Sequence, residues 1–283
     1  MTDRLTFRNG TPDDLDLMVT WAAQEGWNPG ARDAECFYAA DPAGFWVARR
    51  DGEIAACMSL VTYDAAFAFL GFYITRPDLR GQGIGYALWK HALADCKAHT
   101  IGLDGVVDQQ DNYRKSGFTL AHRNIRYGGV PTGVSVSGPD ETHKPITSVP
   151  FDALAAYDRS LFPAHRTGFL SAWLSIPGHI GLVALKNEQI CGYGVIRPSK
   201  DGNKIGPLFA EDTQTATSLF DALVAKVPGE TVILDPPEPN KDAVSLCLAR
   251  ELSPVFETAR MYRGDAPKLP IQNIFGITSF ELG

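Results

Sequence analysis

No apolar run in this 283-residue chain approaches the ~20 residues that a membrane span requires. The opening residues, Met1-Thr-Asp-Arg-Leu-Thr-Phe7, lack the apolar stretch of a secretory leader, so the cytoplasm is the expected compartment. Cysteine is sparse. Cys36, Cys57, Cys96, Cys191 and Cys247 are far apart, odd in number and free of Cys-x-x-Cys pairs, which excludes a disulfide framework and a zinc-finger site. The six histidines show no His-x-x-x-His spacing, so no catalytic metal is expected. Positive charge is also short, with 26 Lys and Arg against 33 Asp and Glu. The net charge of −7 argues against a nucleic-acid partner and mildly favours a cationic one.

What is present is enough apolar material, 45% of residues, for a sizeable core, and enough length for about two domains of ~100–200 residues. The chain is organised around Phe72-Tyr-Ile-Thr-Arg-Pro-Asp-Leu-Arg80-Gly-Gln-Gly-Ile-Gly85-Tyr86, where an apolar strand passes through a basic, glycine-rich turn into an amphipathic helix. Glycines at 81, 83 and 85 let backbone N–H groups turn toward a ligand at the helix start. Those N–H groups have no partner within the helix, and the macrodipole adds roughly half a positive charge, so phosphate is a natural guest. Arg80 adds a full charge. Other phosphate motifs fail on spacing: Gly-x-Gly-x-x-Gly would need glycine or alanine at Tyr86 or Leu88, and no Gly-Lys-Ser/Thr follows.

The stretch resembles the coenzyme A motif of the GCN5-related N-acetyltransferases, Arg/Gln-x-x-Gly-x-Gly/Ala, here Arg80-Gly-Gln-Gly83-Ile-Gly85. Ile74, Pro77 and Arg80-Gly81 stand where the family places an aliphatic strand end, a proline and Arg-Gly. A second family element, Tyr-x-x-x-Gly-Phe, is similar to Tyr113-Arg-Lys-Ser-Gly117-Phe118. The resemblance implies acetyl-CoA held by Phe72, Ile74, Arg80, Gly81, Gln82, Gly83, Ile84, Gly85, Tyr86 and Tyr113. It implies that Tyr113 is the general acid for the departing thiolate and that backbone N–H groups near Ile74 bind the acetyl carbonyl. It also places the acceptor near the loop after the first helix, which makes Glu25, Trp27 and Asn28 pocket candidates. For the base, Glu25, Asp64 and Asp104 are the candidates, and the sequence does not choose among them. Family members often carry an asparagine several residues before the tyrosine; this chain has Val107, Asp108 and Gln109 there.

Along the chain, Leu5–Arg8 reads as a strand and Thr11-Pro-Asp-Asp14 as a capped helix start, with Leu15, Met18, Val19 and Ala22 facing a core. A hairpin turns at Asp51-Gly52, and strands near 66–74 and 100–107 flank the cradle helix. A short helix at 109–116 precedes a strand at 118–127. Residues 128–145, rich in Gly, Pro, Ser and Thr, read as a linker. From 146 the element order repeats, with Gly102-Leu-Asp104-Gly beside Ile233-Leu-Asp235-Pro and Arg123-Asn-Ile-Arg126-Tyr-Gly128 beside Ala259-Arg-Met-Tyr262-Arg-Gly264 as residue echoes. The expected class is α+β, two acetyltransferase-like domains (1–130 and 146–283, joined by 131–145), each a mostly antiparallel mixed twisted sheet with flanking helices.

The second copy has Glu211-Asp212 where the first has its glycines, so like charge repels phosphate. The resemblance is thus to a tandem acetyltransferase with an active N-terminal and a degenerate C-terminal copy, of which Ile205-Gly-Pro-Leu208 and Phe275-Gly-Ile-Thr-Ser-Phe-Glu-Leu-Gly283 look like signatures. The expected reaction is N-acetylation of a small amine. Arg166 could pair with an acceptor carboxylate across the domain interface, and a homodimer stays open. The rival readings are a non-catalytic acyl-CoA sensor and a protein-interaction tandem.

Overall fold

A computed structural model of the chain describes residues 5–94, 96–134 and 143–283. The first copy runs β1 (Leu5–Asn9), α1 (Pro12–Gln24), α2 (Asp33–Ala40), β2 (Phe45–Arg50), β3 (Glu53–Thr62), β4 (Phe67–Thr75), α3 (Ile84–Ala94), β5 (Thr100–Val106), α4 (Gln110–Lys115) and β6 (Thr119–Gly129). The second runs β7 (His143–Pro145), α5 (Phe151–Arg159), α6 (Thr167–Ser175), β8 (Ile180–Lys186), β9 (Gln189–Ser199), β10 (Gly202–Ala210), α7 (Thr213–Val224), β11 (Val232–Leu234), α8 (Lys241–Ala249) and β12 (Ser253–Arg263), followed by β13 (Ile274–Gly276). Element by element, the two copies match up to β13.

Local chemistry sets many of these boundaries. Thr11 and Asp14 form a reciprocal capping box at α1, the Asp14 carboxylate accepting the Thr11 N–H at 2.7 Å. Asp51 and Gly52 both adopt positive φ, +52° and +89°, as a tight hairpin between β2 and β3 demands. The α1 residues Leu15, Met18 and Ala22 are buried, as are Ile84, Leu88, Trp89 and Ala92 on α3. Four of the five cysteines are buried, and all five are free.

The strands form one continuous sheet in the order β1-β2-β3-β4-β5-β12-β6-β11-β10-β9-β8-β7, which is palindromic in copy equivalents. The copies therefore exchange their last strands. β12 lies against β5 of the first copy (Arg260 opposite Asp104), and β6 lies against β11 of the second (Leu234 opposite Tyr127). β6 and β12 pair with each other across the pseudo-twofold. Ion pairs seal the exchange reciprocally. Arg260 on β12 binds Asp104 on β5 (2.8 and 2.7 Å), and Arg126 on β6 binds Asp235 just beyond β11 (2.7 and 2.9 Å).

Each copy also splays open. β4 and β5 pair in parallel only from Phe67↔Thr100 to Leu70↔Leu103, and a bulge around Phe72, with φ +46°, turns the rest of β4 away. In the second copy β10 pairs with β11 only as far as Ile205↔Leu234. There β13 fills the gap, pairing with β10 at Leu208 and Phe209.

Three features differ from the sequence expectation. α2 was not expected; its start is fixed by a distant partner, since Asp33 is fully buried against Arg197 on β9 (2.8 and 3.1 Å). The cradle helix, which the spacing of Ile84, Leu88, Ala92, Leu93 and Cys96 carries to Cys96, ends at Ala94. In the stretch read as a linker, β6 extends to Gly129 and His143–Pro145 forms an edge strand on β8, while residues 135–142 lie outside the described residues.

Arg126→Ala strands a buried carboxylate, and a loss of about 3–5 kcal/mol is expected. Urea denaturation should show it as a lower midpoint, whereas Arg76→Ala, which removes the exposed pair with Asp78, should leave the midpoint unchanged.

Candidate active site

The turn from β4 into α3 builds a cradle of backbone. Gly81 and Gly83 both have φ +77°, and a Cβ at either would meet nothing within 4 Å, so their open side faces free space. Gly85 has a different role. A Cβ there would come 2.5 Å from the Thr75 hydroxyl, so the glycine permits α3 to lie close on β4. The first N–H groups of the 11-residue α3 are left without helical partners at the mouth of a cavity of about 430 Å³. Its lining includes Glu25, Trp27, Ile74, Arg80, Gly81, Gly83, Ile84, Gly85, Tyr86, Asp108, Gln109 and Tyr113. Open glycine backbone, an uncapped helix start and a basic side chain fit a pyrophosphate, and the unpaired edge of β4 beyond Leu70 fits an amide-bearing arm.

The cavity leads into the splay. A smaller enclosed space of about 30 Å³ shares Trp27, Tyr73, Val106 and Tyr113 with it and is completed by Gly71, Phe72, Asp104, Phe256, Thr258, Phe280 and Glu281. A third opening, of about 460 Å³, includes Asn28, Arg126 and Asp201 and shares Phe256 with the small space.

Tyr113 stands where the two inner spaces join. Its ring stacks on Trp89 at 5.7 Å and lies flat over Gly105, where a Cβ would come within 2.7 Å of two ring carbons. Burial pushes its hydroxyl up from the ordinary tyrosine value, so it carries its proton at neutral pH. Glu25 reaches the cleft paired with Arg80, whose Nε also donates to the Thr75 carbonyl at 3.0 Å. Gln82 turns from the cleft to accept a hydrogen bond from Arg50.

Trp27 lines both inner spaces, and its carbonyl accepts Arg126 Nη1 at 2.7 Å. Asn28 is buried at φ +49°, joined to Ser199, Asp201 and Lys204 of the second copy, and reaches the third opening rather than the cleft. Arg166 is not brought to these spaces: its guanidinium is buried on Asp158 (2.8 and 2.6 Å) and Thr278. Of the alternative bases, Asp64 caps the turn before β4 by accepting the Ala66 and Phe67 N–H groups, and Asp104 is held by Arg260 and Asn124.

The lining that sequence reasoning missed comes from the second copy: Phe256 and Thr258 on β12, and Phe280 and Glu281 beyond β13. Its one signal was the terminal stretch from Phe275 to Gly283, visible as a signature without a location. In the second copy, the start of α7 is occupied by Asp212, whose carboxylate accepts the Thr215 N–H at 2.7 Å and is thereby held below the usual carboxylate range. No group of His, Cys, Asp and Glu fit to hold a metal occurs among the described residues, and no helix among them is long and apolar enough to cross a membrane.

The acetyltransferase (GNAT) family model matches residues 14–118, and an acetyltransferase (GNAT) domain model matches residues 154–276. A holothin acyltransferase of Pseudoalteromonas sp. (strain SANK 73390) is 32% identical over 279 residues, covering 98% of this chain and 94% of that one. Among solved structures, a protein of Pyrococcus horikoshii described as an acetyltransferase superposes with a TM-score of 0.82 at 24% identity, covering 99% of this chain and 96% of that one. A tandem GNAT protein from the clavulanic acid biosynthesis pathway superposes at 0.68 with 17% identity, covering 94% and 100%; both share the fold. With both halves matched and a relative alike over nearly its whole length, the chain belongs to the GCN5-related N-acetyltransferase family, as a tandem member and an acyltransferase.

Proposed function

We propose that the protein moves an acetyl group from acetyl-CoA to the amine of a small molecule by direct attack on the thioester, using the N-terminal copy alone for the donor. The observation that carries this reading is the continuity of the glycine cradle, the unpaired edge of β4 and the Tyr113 hydroxyl along one cavity. Gly81, Gly83 and the start of α3 hold the pyrophosphate, with Arg80 fixed toward it by Glu25 and the Thr75 carbonyl. Backbone N–H groups around Ile74 bind the acetyl carbonyl, where hydrogen bonds gained in the transition state lower the barrier. Tyr113, kept protonated by its burial, supplies a proton to the thiolate as the C–S bond breaks.

Two observations favour the N-terminal copy as donor site. β13 fills the opening of the second copy, and Asp212 occupies the start of its helix. The acceptor side supports a small substrate, because Phe256 and Phe280 of the second copy close over it and obstruct an extended polypeptide. The holothin acyltransferase relative makes holothin one acceptor to assay alongside simple amines.

Calorimetric titration of acetyl-CoA should show binding to the wild-type chain and none to Gly83→Glu, which puts a carboxylate into the cradle. Tyr113→Phe should keep that affinity and lose on the order of 10²-fold in turnover, followed as thiol release. Equal turnover by Tyr113→Phe would remove the general-acid role. Tight binding with no thiol release to any amine would favour the acyl-CoA sensor.

A further inference from the structure

Glu281 is buried, 1% exposed, and neither carboxylate oxygen has a hydrogen-bond partner among the described residues. A buried carboxylate without a donor is costly, and such a group calls for a function or an absent guest. It lines the small space between β4 and β5, next to the place proposed above for the thioester. Thr258 Oγ1 lines the same space and is also buried without a partner. The unpaired atoms there, two carboxylate oxygens and a hydroxyl, can all accept hydrogen bonds, so the complementary guest is a donor-rich cation. The volume of about 30 Å³ holds roughly two waters and therefore suits a small headgroup such as an ammonium.

The position is built. Residues beyond β13 cross from the second copy to the first, with Tyr63 donating to the Leu282 carbonyl at 2.9 Å and the Leu282 N–H donating to Ser279 Oγ at 3.1 Å. The backbone of Glu281 lies so close on Gly71 that a Cβ there would come 2.2 Å from the Glu281 carbonyl oxygen. Gly71 thus lets a residue of the second copy enter the splay of the first.

We propose that Glu281 is a catalytic residue: it receives the acceptor as a primary ammonium and takes its proton. This rests on the acetyl-transfer reading of the same site. The ammonium gives one proton to Glu281, and the neutral nitrogen attacks the thioester carbonyl. The C–N bond forms, the C–S bond breaks, and the thiolate leaves with the Tyr113 proton. The nitrogen's second proton restores Tyr113 through water, and the proton on Glu281 passes to solvent, so one proton is released per amide and thiol formed.

The surroundings agree with a base. Desolvation pushes the Glu281 carboxyl up from its ordinary value, opposed chiefly by Lys204 on β10, with Asp33 on α2 adding to the rise and Arg126 on β6 and Arg197 on β9 opposing it. Each of these neighbours is already engaged. Arg126 is on Asp235, Arg197 on Asp33, and Lys204 on the Asn28 carbonyl at 3.1 Å with Asp235 at 3.8 Å. Asp104, which lines the same space from β5, is held by Arg260. Phe256 lines both this space and the opening beside Asn28 and Arg126.

The test compares wild type with the near-isosteric Glu281→Gln and with Glu281→Asp, following thiol release from acetyl-CoA to ethylamine, to benzylamine and to water from pH 6 to 9.5. Calorimetry with acetyl-CoA runs in parallel. Glu281→Gln should bind acetyl-CoA as tightly as wild type and release thiol at least about 10²-fold more slowly at pH 7. Its residual rate with amines should climb tenfold per pH unit, tracking free amine, where wild type is flat above the Glu281 titration and falls below it. Glu281→Asp should lie between them. A Glu281→Gln protein with the wild-type rate and pH profile overturns the proposal, even if its stability changes. So does a wild-type chain that binds acetyl-CoA but accelerates neither amine reaction, since the proposal places a base for a primary ammonium beside the thioester. Failure of wild type to bind acetyl-CoA would instead fall on the cradle reading.

Discussion

The exchange of β6 and β12 is the constraint on which the rest of the molecule depends. A strand placed between the other copy's strands cannot be removed without opening the sheet, so the two halves form a single packed body. The reciprocal pairs Arg126–Asp235 and Arg260–Asp104 act at the seams of that exchange. Burial makes them costly to break rather than strongly favourable to make, which is how such pairs enforce register. A slip of β6 or β12 by one residue would turn its arginine to the other face of the sheet and leave a buried aspartate without its bidentate partner.

From one repeated plan, two small changes make the copies chemically different. The start of α3 has open glycine backbone and Arg80; the start of α7 has Asp212, which satisfies an N–H from within. Beyond the bulge, β4 keeps a free edge, while β10 has its edge filled by β13. Either change alone would weaken a coenzyme site, because the first removes the attraction for phosphate and the second removes the room for the arm. The two occur together in the copy that also sends Phe280 and Glu281 into its neighbour's opening.

The cradle was legible because its chemistry is local: a phosphate turn needs glycines, a helix start and a basic residue within about one helical turn, and all lie in consecutive sequence. Tyr113 was legible for the same reason, set off by Gly117, whose φ of +86° ends α4. The repeat could be read from element order. The partner across each seam could not, because swapping β6 with β12 leaves every local pattern unchanged. Asp33 shows the same limit: its neighbours give no hint that Arg197, 164 residues away, will neutralise it. The lining contributed by Phe256, Thr258, Phe280 and Glu281 was hidden in a like manner, since its place depends on the gap that another copy leaves open.

In the proposed reaction, the division of labour between the copies follows from what each half-site needs. Pyrophosphate is met by backbone donors and one arginine, so a single strand-turn-helix suffices for it. An amine entering a buried space needs its charge balanced by an acceptor that has no other partner, and the carboxylates of the first copy near the splay are already taken: Asp104 by Arg260 and Asn124, Glu25 by Arg80. A free carboxylate must therefore come from elsewhere in the chain, on backbone able to pass through the opening. The residues after β13 are placed to do this because β13 anchors in the second copy's splay before they cross to Gly71 in the first. The segment that closes one opening thus lines the other, because β13 fills the second copy's splay and the residues after it reach Gly71 in the first.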